Sequence, residues 1–452
     1  MSDTFPYPKV LVVCCNPFSR ERSNGMTMSN LFEGWPKDRL AQIFVVTITT
    51  IPPAYDVCER YWKISPVSCL MSLAGIRRNG ALTQREGTDL AEAHQKAPWW
   101  YRCLMYLNRR TRIGVFAEPI RELLFTPSVL ITRQLQLWIE SFKPDVIYTM
   151  LGSLHMINLV MSISKEYSIP VVPHFTDDWP VTAYSGCVGG RWLLKRTQQS
   201  LARLLARSPV RLTIGDEMAE EYSRRYGGDF LAFMNCVDAN LFRSAIERSP
   251  EHSVIKLVYM GGLLLNRWRS LSLIGTCLEG LRAEGINAEL LIYTSPESIR
   301  SFRTLLDRPP VMRLAGWVKN SDVPRIIEAS DIMIHVESFD KSITKYTRFS
   351  MSTKIPECLM AGRCILAFGP MELASMRYIY DARVGLTVGE QDPDLLRDGL
   401  RRYLRNSDLR QDCGRRAREV ALQRHEAFGQ RDRFRKAIAT SLRKNVETRL
   451  SS

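Results

Sequence analysis

The sequence predicts an α/β protein made of two doubly wound parallel-sheet domains. Two observations carry this. Short apolar runs that read as buried strands alternate with helix-like stretches along most of the 452 residues, the order expected of a parallel sheet covered on both faces. The alternation breaks at the polar stretch RSAIERSPEHS, residues 243–253, and then restarts. A chain of this length fits two such domains.

The run Lys9 to Cys15 reads as the first strand, ended by Asn16-Pro17. Gln42 to Thr49 reads as the second and Asp145 to Met150 as the third, followed by a helix over Ser153 to Tyr167. Ile169 to Phe175 and Val210 to Ile214 read as strands, and Arg191 to Ala206 and Asp216 to Tyr226 as helices. Beyond the break, strands are expected at Lys256 to Met260, Ala288 to Tyr293, Val311 to Ala315, Asp331 to Val336, Cys364 to Phe368 and Gly385 to Val388. This divides the chain into domains 1–245 and 246–425, with 426–452 as a basic C-terminal helix or tail. Ligands of such sheets bind beyond the carboxyl ends of the strands, so a cleft between the domains is the expected site.

Composition narrows the class. Hydrophobic residues make up 45% and charged residues 24%, which excludes a disordered, collagen-like or coiled-coil chain. The 62 Lys and Arg against 47 Asp and Glu leave +15, which favours an anionic partner: nucleic acid, a lipid surface or a phosphorylated substrate. Residues 401–452 contribute 15 basic and 6 acidic side chains and read as one or two exposed helices. The 11 cysteines form no CxxC pair, so a reducing compartment is expected, with neither a disulfide framework nor a zinc site. MSDTFPYPKV has no secretory-signal pattern, and no apolar run reaches the ~18 residues of a spanning helix.

Three clusters carry chemistry. Ser350-Met-Ser352-Thr353-Lys354-Ile-Pro-Glu357 reads as a loop opening a short helix that ends at Gly362. Free N–H groups at a helix start, together with the Lys354 charge, suit a phosphate, and Glu357 one turn inside suits ribose hydroxyls. The same pattern also fits a capped core helix ahead of a buried strand. Tyr259-Met-Gly261-Gly262-Leu-Leu-Leu-Asn-Arg267-Trp-Arg269 follows a strand and precedes a helix; its glycines permit close backbone approach and its arginines suit a diphosphate, although a plain glycine turn with solvated arginines reads equally well. The third, Asn235-Cys-Val-Asp238-Ala-Asn-Leu-Phe242, is by itself only a turn. Asp392-Pro-Asp394 matches D-x-D literally but reads as a helix cap.

The order of these pieces resembles the retaining GT-B glycosyltransferases, the group that includes glycogen synthases and bacterial capsule and O-antigen enzymes. NCVDANLF stands where that group has N-G-V-D-x-x-x-F, with Cys236 at the glycine; Arg267 falls at the lysine of its G-R-L-x-x-x-K turn; Ala315-Gly316-Trp317-Val318 matches its glycine-bearing strand end. Glu357 matches the second glutamate of E-x7-E, but Phe349 occupies the first, and Glu337 or Asp340 upstream stands as a substitute. The loop Ser23-Asn24-Gly25 is similar to the group's phosphate-facing glycine loop, and His155 and the strand end His174-Phe-Thr-Asp177-Asp178 to its sugar-contacting histidines. Each histidine also reads as an ordinary structural side chain.

The resemblance implies sugar transfer from a nucleotide-diphosphate sugar with retention, no metal and no separate cofactor. Arg267 and Lys354 would neutralise the leaving diphosphate, with Arg269 a weaker candidate, and His155 and His174 would line the reacting centre. Asn24, Gly25, Gly261, Gly262, Ser352, Thr353 and Glu357 would hold the donor, and the Gly316-Trp317-Val318 backbone would flank the base. The segment Ala93 to Ala117, with Trp99, Trp100, Arg109, Arg110 and Arg112, suits docking on an anionic membrane, so a lipid-linked saccharide acceptor and a cytoplasmic, membrane-peripheral enzyme are expected. A packed helix pair with solvated arginines is the plainer reading of that segment. An epimerase or an inactive homologue on the same fold remains an alternative, and a basic nucleic-acid-binding protein is a weaker one.

Overall fold

The computed structural model describes residues 7–21, 23–46, 51–65, 80–84, 114–242 and 254–450. The basic aromatic segment up to residue 113 lies outside them, as does the polar stretch 243–253. The chain forms two compact units, 1–233 with 431–452, and 234–430. The sequence puts the joint near 245; in the structure the division falls between Phe233 and Met234, and the chain returns to the first unit at Arg431.

In the first unit the elements run β1 (Val10–Cys14), α1 (Ser23–Leu31), β2 (Leu40–Val45), β3 (Arg60–Ile64), β4 (Gly80–Leu82), α2 (Gly114–Leu124), α3 (Pro127–Leu130), α4 (Arg133–Phe142), β5 (Val146–Met150), α5 (Leu154–Glu166), β6 (Val171–Phe175), α6 (Trp179–Thr182), α7 (Gly190–Ala206), β7 (Leu212–Thr213), α8 (Asp216–Tyr226) and β8 (Leu231–Ala232). The sheet order is β4-β3-β2-β1-β5-β6-β7-β8, and only the β3/β4 pair is antiparallel. The central strands β1, β5 and β6 are buried at every position, which is why their sequences are mostly apolar, with Thr149 and His174 as buried polar exceptions. The start of β1 is pinned where the Lys9 backbone N–H donates to the Asp145 carboxylate at 2.7 Å.

The second unit continues with β9 (Ile255–Met260), α9 (Arg267–Ala283), β10 (Ala288–Tyr293), α10 (Pro296–Leu306), β11 (Met312–Gly316), α11 (Val323–Glu328), β12 (Ile332–Val336), α12 (Lys341–Thr347), α13 (Lys354–Met360), β13 (Cys364–Phe368), α14 (Ala374–Ala382), β14 (Gly385–Val388), α15 (Pro393–Arg405) and α16 (Ser407–Arg424). The final helix, α17 (Ala427–Leu450), starts here and passes into the first unit. The all-parallel order β11-β10-β9-β12-β13-β14 is the doubly wound pattern, with its reversal between β9 and β12. Side chains at the boundaries stop the helices from fraying: Ser295, Asp340, Asp392 and Asn406 each accept a backbone N–H at a helix start. Asp392 is therefore a cap.

The C-terminal region departs from the expected exposed helices. In α17, Phe434 and Ile438 are fully buried and Ala437 and Ala439 nearly so. Phe434 lies 4.9 Å from the Phe32 ring, 5.5 Å from Phe233 and 5.7 Å from Tyr148, edge-on in each case. The apolar positions recur at helical spacing but are diluted among arginines, so composition alone suggests a solvated tail. Arg431 Nε donates to the Asn30 carbonyl at 2.8 Å and fastens the helix to α1. Among the described residues no helix is long and apolar enough to cross a membrane.

Phe434→Ala removes the centre of this aromatic cluster. It is expected to destabilise the first unit by about 3–5 kcal/mol in urea unfolding followed by a first-unit probe. A loss below about 1 kcal/mol would place α17 outside the core.

Candidate active site

The site grows out of the strand-order reversal. Strand β9 ends at Met260 and enters the Gly261-Gly262 turn, where Tyr259 Oη donates to the Gly262 carbonyl at 2.7 Å. A Cβ at Gly261 would meet Tyr259 Oη at 2.7 Å and the ring carbon bearing it at 2.9 Å, so a side chain there would displace this tyrosine. Leu265 (φ 57°) and Asn266 (φ 56°) are then consecutive left-handed residues. A leucine there is strained, the kind of local cost found where a loop is held for function. Arg267 follows as the first residue of α9.

Next to β9, strand β12 ends at Val336, and Glu337 comes immediately after it. Its carboxylate is 4% exposed and takes a bidentate clamp from Arg267: Nη2 to Oε1 at 2.8 Å and to Oε2 at 3.0 Å, with Nε to Oε2 at 3.2 Å. Ser270 Oγ donates to the Glu337 carbonyl at 2.7 Å, and the Glu337 N–H bonds the Phe368 carbonyl at 3.0 Å, so backbone and carboxylate are both fixed. Behind the pair, His335 Nε2 lies 3.0 Å from Ser375 Oγ and 3.8 Å from Glu337 Oε1. Burial pushes His335 down to about 4 against the pull of Glu337, so it is neutral at pH 7.

The third wall is the start of α13. Lys354 Nζ donates to Glu357 Oε2 at 2.8 Å and to Oε1 at 3.1 Å. Burial raises the Glu357 carboxyl above its ordinary value, and the Lys354 charge opposes that rise. Asn235 Nδ2 donates to the Thr353 carbonyl at 3.1 Å, so the NCVD stretch that is only a turn in sequence braces the loop carrying Lys354. Arg267, Glu337, Ser352, Lys354 and Gly261 line one crevice within the second unit, whose empty space, counting what opens to solvent, is about 470 Å³. Two cations, each backed by a buried carboxylate, thus face a pocket at the carboxyl ends of β9 and β12, an arrangement that suits a bridged pair of phosphates.

Other predicted donor residues stand elsewhere in this unit. Glu357, expected to hold ribose, bonds Lys354 through both carboxylate oxygens. Arg269 lies over the Trp268 ring at 5.3 Å and is not part of the crevice wall. Gly316 (φ 110°) closes β11, and its carbonyl accepts from Thr294 N–H at 2.9 Å; Trp317 is half-exposed and Val318 packs on the core. Gly262 and Thr353 adjoin lining residues without lining the crevice themselves. Asp340 is the α12 cap, while Glu337 is the acid at the site; Phe349 is buried, with Arg348 over its ring at 5.0 Å.

The remaining candidates belong to the first unit. Asn24 Nδ2 donates to Thr176 Oγ1 at 3.3 Å. Gly25 packs so closely that a Cβ would lie 2.5 Å from the Pro17 carbonyl. His174, expected at the reacting centre, is 1% exposed, with Nδ1 2.7 Å from Tyr148 Oη, and burial pushes it down to about 4. It is a packed, neutral strand residue. Asp178 is likewise committed, to Arg225 at 2.7 Å and Tyr222 Oη at 3.0 Å. His155 begins α5 with Nδ1 3.0 Å from Glu122 Oε2, which also accepts the His155 N–H at 2.8 Å. Burial works to raise the Glu122 carboxyl, but its bonds and charge contacts with His155, with Arg121 added, hold it below the ordinary value. No motif marked Glu122 or His335; both are recognisable only from their neighbours in space. Among the described residues no group of three or more His, Cys, Asp or Glu is placed to hold a metal ion.

Comparison with known proteins agrees with this architecture. Residues 278–433 match the family model described as Glycosyl transferase-like. A structure of Alr3699/HepE from Anabaena in complex with UDP and glucose is 10% identical, with 96% of this chain and 100% of that chain covered and a TM-score of 0.59. WaaG, a glycosyltransferase involved in lipopolysaccharide biosynthesis, is 14% identical over 95% and 99% of the two chains, with a TM-score of 0.55. Sucrose-phosphate synthase from Thermosynechococcus elongatus is 12% identical over 98% and 99%, with a TM-score of 0.54. No curated protein sequence matches the chain. The fold is that of the GT-B glycosyltransferases.

His174, His335 and His425 are all pushed to about 4 by burial. The unfolded chain takes up these protons near pH 6.5, whereas the folded chain resists until about pH 4. The associated stability is therefore complete above about 6.5 and is lost as the pH falls toward 4. In urea titrations across that window, His335→Asn should flatten the slope of stability against pH by one proton, about 1.4 kcal/mol per pH unit. An unchanged slope would contradict the burial of a neutral imidazole at this position.

Proposed function

We propose that this chain is a retaining hexosyltransferase that moves a sugar from a nucleotide-diphosphate sugar to a saccharide or lipid-linked saccharide in surface polysaccharide synthesis, without a metal. The observation that carries the reading is the convergence of Arg267 and Lys354 on one crevice at the strand-order reversal. It is supported by one structural relative, Alr3699/HepE, whose three structures hold UDP, UDP and glucose, or UDP-glucose.

The main electrostatic task in such a transfer is to stabilise charge on the departing diphosphate. Arg267 offers a planar fork already oriented by Glu337, and Lys354 offers a point charge oriented by Glu357, so neither needs to reorganise when the bond breaks. The Gly261 turn lets backbone approach the phosphates. A donor phosphate oxygen takes the acceptor proton, so no side chain is assigned as general base. A lipid-borne acceptor would place the enzyme on the cytoplasmic face of an anionic membrane.

Lys354→Ala paired with Glu357→Gln, which avoids stranding that buried carboxylate, is expected to lower kcat by about 10²–10³-fold with the protein still folded. Arg267→Ala alone strands Glu337 as a buried charge, so the informative variant pairs it with Glu337→Gln and should show a loss of similar size. Undiminished transfer in both variants would overturn the site assignment. Transfer should also persist in excess chelator, and a UDP-sugar should raise the melting temperature of wild type more than that of either variant.

A further inference from the structure

We propose that the outer face of α7 is a docking surface for anionic lipid headgroups. The inference deepens the membrane association suggested above and does not need the transfer reaction itself. From Trp179 to Gly215 the chain has no acidic residue, while Arg191, Lys195, Arg196, Arg203, Arg207 and Arg211 are all basic. Helix α7 sorts this composition by face. Leu193, Thr197, Leu201, Leu204 and Leu205 are buried on one side. Arg191, Trp192, Lys195, Arg196 and Arg203 are exposed on the other, at helical spacing.

The cations on this face have no structural duty that the fold explains. Among the described residues, no ion pair to an acid is formed by Arg191, Lys195, Arg196 or Arg203, whereas Arg207 and Arg211 bind the Ser164 and Gly227 carbonyls. At the N-terminal end two apolar side chains stand in solvent: Val188 at 53% and Trp192 at 51% exposure. The Arg196 guanidinium lies 5.2 Å from the Trp192 ring. Cations, an indole and an aliphatic side chain together match the boundary between phosphate headgroups and acyl chains. A nucleic-acid backbone would use the cations but has no apolar layer to accept Val188. The buried apolar face of α7 serves the core, so the contact is electrostatic with one aromatic anchor, and the helix does not insert.

The test is vesicle sedimentation of the full-length protein on phosphatidylcholine with and without phosphatidylglycerol. Wild type should bind only the anionic vesicles. Lys195→Glu with Arg196→Glu should lower the partition coefficient at least about tenfold. The control Arg300→Glu with Arg303→Glu, on α10 of the second unit, makes the same change in net charge and should leave partition within about twofold. Trp192→Ala should weaken retention at raised salt and remove quenching by brominated lipid. Circular dichroism and donor-induced melting shifts should match wild type in every variant. Equal loss in both charge reversals, or loss in neither, would overturn the α7 assignment while leaving membrane association standing. Failure of wild type to bind anionic vesicles would overturn both. Duplex DNA binding that depends on Lys195 and Arg196, with vesicle binding unaffected by them, would assign the face to nucleic acid instead.

Discussion

The second unit is organised around one buried carboxylate. Glu337 sits at the end of a central strand, 4% exposed, and its charge is sustained by the three hydrogen bonds from Arg267. An ionised carboxylate in such a place costs several kcal/mol unless paired and fully hydrogen-bonded. That requirement fixes where Arg267 must stand, hence where α9 must begin, hence the left-handed turn at Leu265 and Asn266 that delivers the chain there. The hydrogen bond from Ser270 to the Glu337 carbonyl and the close packing of Gly369, where a Cβ would lie 2.9 Å from Glu337 Cβ, belong to the same constraint.

The consequence is a cation held in place before any ligand arrives. Lys354 repeats the device with Glu357 one turn along, and Asn235 steadies the loop just before Lys354. A free lysine or arginine would surrender side-chain entropy when it met an anion; these two have largely lost it on folding. The partnering carboxylates also keep the crevice near neutrality, so the protein does not carry two uncompensated, partly buried charges. Preorganisation and native stability are therefore satisfied by the same contacts, and neutral His335 behind the pair adds no competing charge.

Much of this was legible in the sequence because strands of a covered sheet write themselves as short, predominantly apolar runs. Ala288–Tyr293, Cys364–Phe368 and Gly385–Val388 fall where their composition placed them. Strands of two or three residues at the sheet edges, β4 and β8, carry too little pattern to be seen, and β3 has two polar positions among its five. Arg267 and Lys354 are visible because charged residues shortly after a glycine pair or at a helix start are conspicuous. Their partners are less so. Glu337 enters only as a stand-in for an absent motif residue, because its pairing with Arg267 depends on which strands lie adjacent and not on spacing along the chain, whereas Lys354 and Glu357 pair three residues apart on one helix. His174 shows a related limit: a strand end opens to solvent or lies under a neighbour without a difference in sequence, and here it is buried.

The excess of basic residues also acquires a physical division. In the C-terminal region most arginines are already engaged inside the fold. Arg401 bonds Glu284 at 2.7 Å, Arg410 takes the Tyr403 and Leu404 carbonyls at the end of α15, Arg416 takes the Arg383 carbonyl at 2.8 Å, and Arg433 takes the Ala232 carbonyl at 3.1 Å. A guanidinium that satisfies a helix terminus is a structural group whatever its charge, because it answers carbonyls that would otherwise lack partners. Net charge summed over the chain therefore overstates what is offered to a partner there. On α7 the opposite holds: the helix is acid-free, its buried face supplies the packing, and Arg191, Lys195, Arg196 and Arg203 answer no carbonyl or carboxylate among the described residues. The number of arginines does not separate a recognition surface from a structural one; whether the fold already uses their hydrogen bonds does.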